Sequence, residues 1–233
     1  MTLLDEIRSR GHFVIVVRPT VFLEDRVGRA DLEPILSRAS VHLRGWDLPH
    51  IDPKAPIHHG QGYITQESAW SSYREVWRFH RSGQLAMVRS FAGDWREDVP
   101  RWSSTDPTIP VPRELGVIET LYALTEVFEL AARLAFTPGG DDRMRVDVSF
   151  RGMKDRELVI DDSARAPFVA PYIYADDRYE AGWDIDRVVL AAEAWDLAAD
   201  AAAEMFASFG WTTNAGVFKD AQTRLRGAAR RRN

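Results

Sequence analysis

The feature that most constrains the fold is an alternation of side chains in residues 73–80. Every second position falls into one of two sets, a mostly aromatic one and a mostly basic one: Tyr73, Glu75, Trp77 and Phe79 against Arg74, Val76, Arg78 and His80. Successive side chains of a strand point to opposite faces of a sheet, so one set is predicted to be buried and the other solvated. Gly83 can adopt positive φ, and a turn there joins this strand to a second one over residues 84–91. The sequence therefore predicts an antiparallel hairpin.

Two long segments, residues 115–136 and 188–209, have the apolar repeat of amphipathic helices. A Pro-Gly-Gly sequence ends the first helix, and Gly210 ends the second, which Asp184 or Asp186 is predicted to cap. Together with the hairpin, these segments predict an α+β fold. In that fold an antiparallel, β-rich N-terminal portion packs with two long C-terminal helices.

Shorter elements are predicted from local apolar runs bounded by turn residues. A short N-terminal helix starts from a capping box formed by Thr2 and Asp5. A second helix covers residues 32–38, and the remaining extended segments are 12–22, 41–46, 63–70, 144–150, 157–160 and 168–174. Residues 157–160 are expected to form a hairpin with residues 144–150.

A chain of 233 residues is long enough for one large domain or two small ones. We predict a single α+β domain over residues 1–221, because no linker separates its two halves convincingly. A possible subdivision lies near residues 96–112, where prolines interrupt a polar stretch. Residues 222–233 form a basic tail, which is either a short amphipathic helix or disordered.

Cysteine is absent from the sequence, which excludes disulfides, thiolate zinc sites, iron–sulfur clusters and cysteine nucleophiles. No apolar run reaches the roughly 18 residues of a membrane span, and the N-terminus lacks the apolar core of a signal peptide. We therefore expect a cytoplasmic protein that does not bind membranes. With a net charge of −5, only local basic patches can attract nucleic acid.

The sequence lacks the glycine-rich motifs of nucleotide sites and the G-x-S-x-G motif of serine hydrolases. Histidines and acids gather in the proline-containing loop 47–62, but without the H-E-x-x-H spacing of zinc enzymes. We therefore predict no cofactor and no metal site. Whether the chain is an enzyme stays open, with a non-enzymatic role favoured. A metal-dependent hydrolase or nuclease, the alternative, would use either the loop residues Asp47, His50, Asp52 and His58 or the acids Asp147, Glu157 and Asp161.

The candidate binding surface combines this loop region with the hairpin. It consists of Arg44, Trp46, His50 and Asp52, together with Arg74, Trp77, Arg78 and Arg81. Aromatic side chains on a sheet can stack on bases while arginines neutralise phosphates. A structural interpretation fits the same residues: Trp46 plugs the core, Arg44 pairs with Asp47 or Asp52, and the hairpin arginines are simply solvated.

Four segments resemble a region of bacterial Schlafen AlbA-like and antiphage-defence proteins: HFVIVVRPTVF (12–22), SVHLRGWDLPHID (40–52), EVWRFHRSGQLAMV (75–88) and GDW (93–95). In those proteins the region stands beside a nucleotide- or DNA-associated module. The resemblance covers residues 12–95 and implies an accessory domain, although the partner module is not visible in this sequence.

These observations predict a non-enzymatic accessory, sensor or binding protein of a bacterial defence system. A protein partner is expected, together with weak, arginine-driven binding of nucleic acid or association with a nucleotide. Besides the hydrolase or nuclease, a further alternative is a structural subunit whose two long helices pack against a partner chain. The oligomeric state stays open.

Overall fold

The computed structural model of the chain describes residues 1–95 and 113–230. The helices in this part of the chain are α1 (Leu3–Arg8), α2 (Leu32–Ala39), α3 (Val117–Ala135), α4 (Arg187–Ala207) and α5 (Lys219–Arg230). The strands are β1 (His12–Pro19), β2 (His58–Gly60), β3 (Tyr63–Trp70), β4 (Tyr73–His80), β5 (Leu85–Ser90), β6 (Glu114–Gly116), β7 (Arg143–Arg151), β8 (Glu157–Val159), β9 (Tyr172–Ile173) and β10 (Arg178–Asp186).

Seven of these strands form one antiparallel sheet in the order β10-β7-β1-β5-β4-β3-β2. At its centre, Phe13 on β1 lies opposite Arg89 on β5 and opposite Phe150 on β7. A second, three-stranded sheet has the order β6-β8-β9, with β6 and β8 parallel. The large sheet therefore brings strands from both halves of the sequence side by side.

Helices α2, α3 and α4 cover one face of the large sheet, and the core lies between these helices and the sheet. The inward positions Phe13, Ile15 and Val17 of β1 are buried, whereas the intervening Val14 and Val16 are only half-buried. Helix α3 packs against β1, β7, α2 and α4, so that it is buried around most of its circumference. Burying these apolar faces from water is the main stabilising contribution to such a layered fold.

The α+β fold is confirmed, with α3 and α4 as the two longest helices among the described residues. The predicted hairpin is β4 and β5, and Gly83 in its turn has φ of +84°. The capping box of Thr2 and Asp5 is present at α1, and Asp186 caps α4 by accepting a hydrogen bond from the Val188 N–H. These features depend on patterns that are local in sequence.

Two strand predictions are wrong. Residues 41–46 form no strand; Val41 makes only a single bridge to Leu48, and the chain between them loops round the buried Trp46. Residues 144–150 do lie in a strand, β7, but its two edges are occupied by β1 and β10. The predicted hairpin partner, residues 157–160, instead contains β8, which pairs with β6 and β9.

The remaining segments differ from the prediction in extent. The strand expected at residues 168–174 is reduced to β9, and β10 was not predicted at all. The basic tail falls largely within α5, whose Leu225 is buried, so the helical alternative applies to residues 222–230. The possible subdivision near residues 96–112 lies outside the described residues. No helix in the described ranges is both long and apolar enough to cross a membrane.

Candidate functional site

A cavity of about 110 Å³ lies between one end of the large sheet and the first turns of α3. Its apolar lining includes Phe13, Phe91, Leu115, Ala123, Phe150 and Val159, and its polar lining includes Arg44, Arg89, Glu114, Glu119, Thr120 and Asp161. An apolar pocket with a few convergent polar groups is the usual form of a small-molecule site. The cavity is therefore the natural place to look for function.

Three phenylalanines form the apolar wall. The register of the sheet sets Phe13 beside Phe150, and their ring centroids are 5.6 Å apart. Phe91, just after β5, completes the group at 5.8 Å from Phe13 and 5.9 Å from Phe150. Because aromatic rings at these separations hold one another in place, the wall is a rigid surface against which a flat apolar group can pack.

Arg89 brings a charge into this apolar setting. It stands on the inward face of β5, opposite Phe13 and Glu75, and only 3% of its surface is exposed. Among the described residues, no hydrogen-bond acceptor meets its Nη1 atom. Two carboxylates form ion pairs with Arg89, Glu126 at 3.8 Å from Nη1 and Glu75 at 3.8 Å from Nε, and both distances are beyond hydrogen-bonding range. A buried donor without an acceptor is unusual in proteins and calls for an explanation.

Arg44 pairs with Glu126 and not with the predicted Asp47 or Asp52. The pair belongs to the same buried charge cluster as Arg89. Glu126, which is fully buried on α3, accepts two hydrogen bonds from Arg44, at 2.8 Å from Nε and 2.6 Å from Nη2. Burial on its own lowers the pKa of Arg44, but the charge of Glu126 and these hydrogen bonds raise it above its ordinary value. The pair is a bidentate ion pair in which both charges are well compensated.

Glu75 is the weakly held member of the cluster. It is fully buried on β4, and one of its oxygens accepts a hydrogen bond of 2.8 Å from the backbone N–H of His50. Its other oxygen makes no hydrogen bond of good geometry among the described residues, although the indole of Trp46 lies close enough to lower the pKa of Glu75. Desolvation raises the pKa of Glu75 to about 7, against the opposing effect of Arg89. This carboxyl group therefore keeps its proton to a higher pH than an exposed glutamate does.

The loop after α2 surrounds this cluster with aromatic rings. Trp46 is buried, and its ring stacks on His50 at 3.9 Å between centroids and on Tyr73 at 5.3 Å. Trp70 lies parallel to Trp46 at 5.8 Å and is 66% exposed. Desolvation lowers the pKa of His50. The loop thus places an ordered aromatic stack between the charge cluster and solvent.

The predicted site residues of the loop are anchored by the sheet. Gln66 accepts a hydrogen bond from the Asp52 N–H at 3.0 Å and donates one to the Asp52 carbonyl at 2.9 Å. Trp77, which is fully buried, donates its indole N–H to the His50 carbonyl at 2.8 Å. The structure therefore brings Arg44, Trp46 and His50 to the charge cluster and places Asp52 at its outer side.

The hairpin residues do not join the loop residues in one surface. Trp77 lies in the core, so the prediction that it stacks on a ligand is corrected by its burial. Arg74 and Arg78 project from the opposite face of β4, where Arg74 lies over the ring of Trp95 at 3.8 Å. Arg81 forms an ion pair of 2.7 Å with Asp25. The alternation that defines the strand also separates its aromatic residues from its arginines.

The acids proposed for metal chemistry lie apart. Among residues 1–95 and 113–230, no group of three or more histidines, aspartates or glutamates is arranged to hold a metal ion. Asp147 pairs with Arg145 at 2.7 Å on the large sheet, whereas Asp161 accepts the N–H groups at the start of α3. In the loop, Asp47 pairs with His42 at 2.7 Å.

Arg89 and Glu126 were not identified from the sequence as interacting site residues. In both cases the sequence pattern around the residue could have indicated it. Arg89 shares the buried, inward face of its strand with Leu85, Met87 and Phe91, which lie at every second position. Glu126 interrupts the apolar surface of α3. A charged residue at a position whose neighbours predict burial indicates either an ion pair or a ligand.

Comparisons with known proteins add no relative: no family model matches the chain, and no curated protein or solved structure matches it either. The resemblance of residues 12–95 to defence proteins therefore stays a prediction. Function has to be argued from the geometry of the cavity and the charge cluster.

Proposed function

We propose that this chain is a binding protein of the accessory or sensor type, which holds a small organic molecule in the cavity beside Arg89. The observation that supports this most directly is the guanidinium of Arg89, 3% exposed, whose Nη1 meets no acceptor in the described part of the chain. Leaving a buried charged donor without an acceptor costs on the order of 1–3 kcal/mol or more. Because Arg89 also lines the cavity, a ligand there can pair with its guanidinium.

A second buried arginine shows how the same fold satisfies a structural guanidinium. Arg156 is fully buried, and Asp94 accepts two hydrogen bonds from it, at 2.9 and 2.8 Å. The carbonyls of Gly152 and Glu114 accept further hydrogen bonds. Arg156 therefore has acceptors along its whole edge, whereas Arg89, which lines the cavity, has a buried Nη1 without an acceptor in the described part of the chain. The contrast favours a ligand-related role for Arg89.

Binding is favoured over catalysis by the position of Glu75. A carboxyl group with a pKa of about 7 suits general acid–base chemistry. However, Glu75 is fully buried behind Arg89, one of its oxygens is engaged by the His50 N–H, and it does not belong to the lining of the cavity. Its arrangement supports the arginine and does not present the carboxyl group to a bound molecule.

The test is a screen of small organic molecules for a rise in melting temperature. We expect compounds that stabilise the native protein to lose this effect in Arg89→Met, because a ligand raises stability only through the folded state that binds it. Arg8→Met, which removes an exposed arginine of α1 outside the cavity, is the matched control and should respond like the native protein.

A second variant, Ala123→Leu, provides an independent check that alters no charge. Because Ala123 lines the cavity, the larger side chain fills part of it. Ligands that bind there should be displaced by the larger side chain. Equal stabilisation of the native chain, Arg89→Met and Ala123→Leu by every compound would contradict the proposal, as would the absence of any stabilising compound.

The wider setting rests on the sequence. The role in a bacterial defence system follows from the resemblance of residues 12–95, and the protein partner, the cytoplasmic location and the nucleic-acid binding are predictions of the same kind. For nucleic acid, the exposed pair of Arg78 over Tyr63, 4.2 Å from guanidinium to ring, is the part of the hairpin best placed to contact a strand. Arg78→Met should weaken binding of single-stranded DNA in an anisotropy assay at low salt; unchanged binding would point to the basic residues of α5 instead.

A further inference from the structure

We infer that the molecule held in this cavity is a small organic anion, a carboxylate on a flat apolar body of about one ring, which pairs with Arg89. This inference rests on the binding function proposed above and adds the chemical class of the ligand. It draws on three observations: how the charges of the cluster are paired, what the apolar wall admits, and which groups stand at the rim.

The pairing of charges leaves Arg89 with two ion-pair partners but without a hydrogen-bonded carboxylate. Glu126 is committed to Arg44 by hydrogen bonds of 2.8 and 2.6 Å, while its distance to Arg89 is 3.8 Å. Glu75 is also 3.8 Å from Arg89 and makes its hydrogen bond to the His50 N–H. A planar guanidinium binds a carboxylate through two parallel hydrogen bonds, and neither acid makes that arrangement with Arg89.

A proton on Glu75 strengthens this attraction, and burial raises the pKa of Glu75 and so favours that proton. The groups that face it are Arg89 from β5, Glu126 from α3, and the His50 N–H and Trp46 from the loop. With Glu126 matched to Arg44, each protonated Glu75 leaves one positive charge uncompensated on Arg89. An incoming carboxylate supplies the missing negative charge and, by repulsion, favours the protonated form of Glu75. Binding should therefore take up protons and weaken as the pH rises.

The shape of the cavity limits the apolar part of the ligand. The rings of Phe13, Phe91 and Phe150 form one wall, and Leu115 and Ala123 contribute further apolar surface. A volume of about 110 Å³ is small beside the roughly 300–1,000 Å³ of most ligand pockets, so the enclosed part of a ligand is no larger than about one ring. An aromatic carboxylate can pack its ring against the phenylalanine wall and pair its carboxylate with Arg89.

The rim carries an opposing charge that makes the inference testable. Asp161 is occupied, because its carboxylate accepts hydrogen bonds from the Ile118 and Glu119 N–H groups at 2.6 and 2.9 Å. The side chain of Glu119 lines the cavity and is half-buried. Its negative charge repels an anion and attracts a cation, so that neutralising it moves the affinity in opposite directions for the two classes of ligand.

The experiment is calorimetric titration of the full chain with benzoate and phenylacetate and with their neutral isosteres, benzamide and phenylacetamide. We expect each carboxylate to bind at least about tenfold more tightly than its amide in the native protein, in keeping with a charge-assisted pair. Arg89→Met should abolish this preference. Glu119→Gln should tighten carboxylate binding about twofold or more and leave amide binding unchanged.

The outcomes separate the two proposals. Equal binding of carboxylates and amides overturns the anionic class and leaves a small-molecule site in place. Tighter binding of benzylamine than of benzoate, lost in Glu119→Gln, also overturns it and assigns a cation. Binding of none of these compounds overturns the one-ring anion, while the broader screen decides whether the cavity binds anything. Because Glu119 lies at the rim and is not in the buried cluster, its variant keeps the test valid even if Arg89→Met fails to fold.

Discussion

Replacing Glu75 by glutamine isolates the contribution of the buried charge cluster to stability. The pKa of Glu75 is raised from 4.5 to about 7, first by desolvation and against the pull of Arg89. A carboxyl group whose pKa is higher in the folded state holds its proton more tightly when the chain is folded. Its contribution to stability is therefore fully present below the unfolded pKa and is lost as the pH rises through about 7.

The magnitude follows from the size of that shift. At 1.36 kcal/mol for each pKa unit, a rise from 4.5 to about 7 corresponds to about 3 kcal/mol between the two limits, and most of this falls between about pH 5 and pH 8. Glutamine keeps the shape and the acceptor oxygen for the His50 N–H but does not titrate. The free energy of unfolding of the native protein, minus that of Glu75→Gln, should therefore fall by about 2–3 kcal/mol across this range.

Urea unfolding followed by tryptophan fluorescence at several pH values measures both chains. Three histidines also change charge as the pH is varied: His12, His50 and His80. Desolvation lowers the pKa of each, so their contributions to stability are lost as the pH falls. These contributions are common to both chains and cancel in the difference. Parallel curves for the native protein and Glu75→Gln would refute the reasoning, since they would show that Glu75 titrates alike in the folded and unfolded states.

Three further substitutions test the fold by thermal or urea unfolding. Gly83→Ala should destabilise the protein by more than about 2 kcal/mol, because φ is +84° and the new methyl group would collide with the Gly139 carbonyl, and native-like stability would contradict this turn. Arg156→Met should cost about 3–5 kcal/mol by leaving Asp94 buried without its partner, so a loss below about 1 kcal/mol would argue against the ion pair. Trp195→Ala should cost only about 2 kcal/mol, less than for a core tryptophan, since the ring is half-buried; an unchanged melting midpoint would contradict its packing.

The sequence predicted those elements whose pattern is contained within a few neighbouring residues. The β4–β5 hairpin and helices α3 and α4 each carry their own periodicity, and the structure confirms them. Local patterns could not predict which distant segments pair as strands. The segment of β8 was predicted to pair with β7, but both edges of β7 are occupied by β1 and β10. Strand β10 was missed because Gly182 and several charged residues interrupt its apolar alternation.

The site shows the same division between local and distant information. The structure brings the loop residues Arg44, Trp46 and His50 to one charge cluster. Trp77 was predicted for the same surface but is buried, which the alternation of β4 allowed. The meeting of Arg89 with Glu126 joins a strand to a helix 37 positions later in the sequence. Only the packing of α3 on the sheet brings these two charges together.

The two margins of the large sheet bear on the solubility of the folded chain. Any unpaired margin offers backbone donors and acceptors to a second molecule and can lead to aggregation. At one margin, β2 is only three residues long, which gives a foreign strand little to pair with. At the other, β10 presents nine residues, but Arg178, Glu180 and Asp184 place charges along it, and Gly182 weakens its extended conformation. A second molecule adding there would have to bring matching charges, so substituting these three residues with threonine should make the protein prone to form assemblies through its sheet.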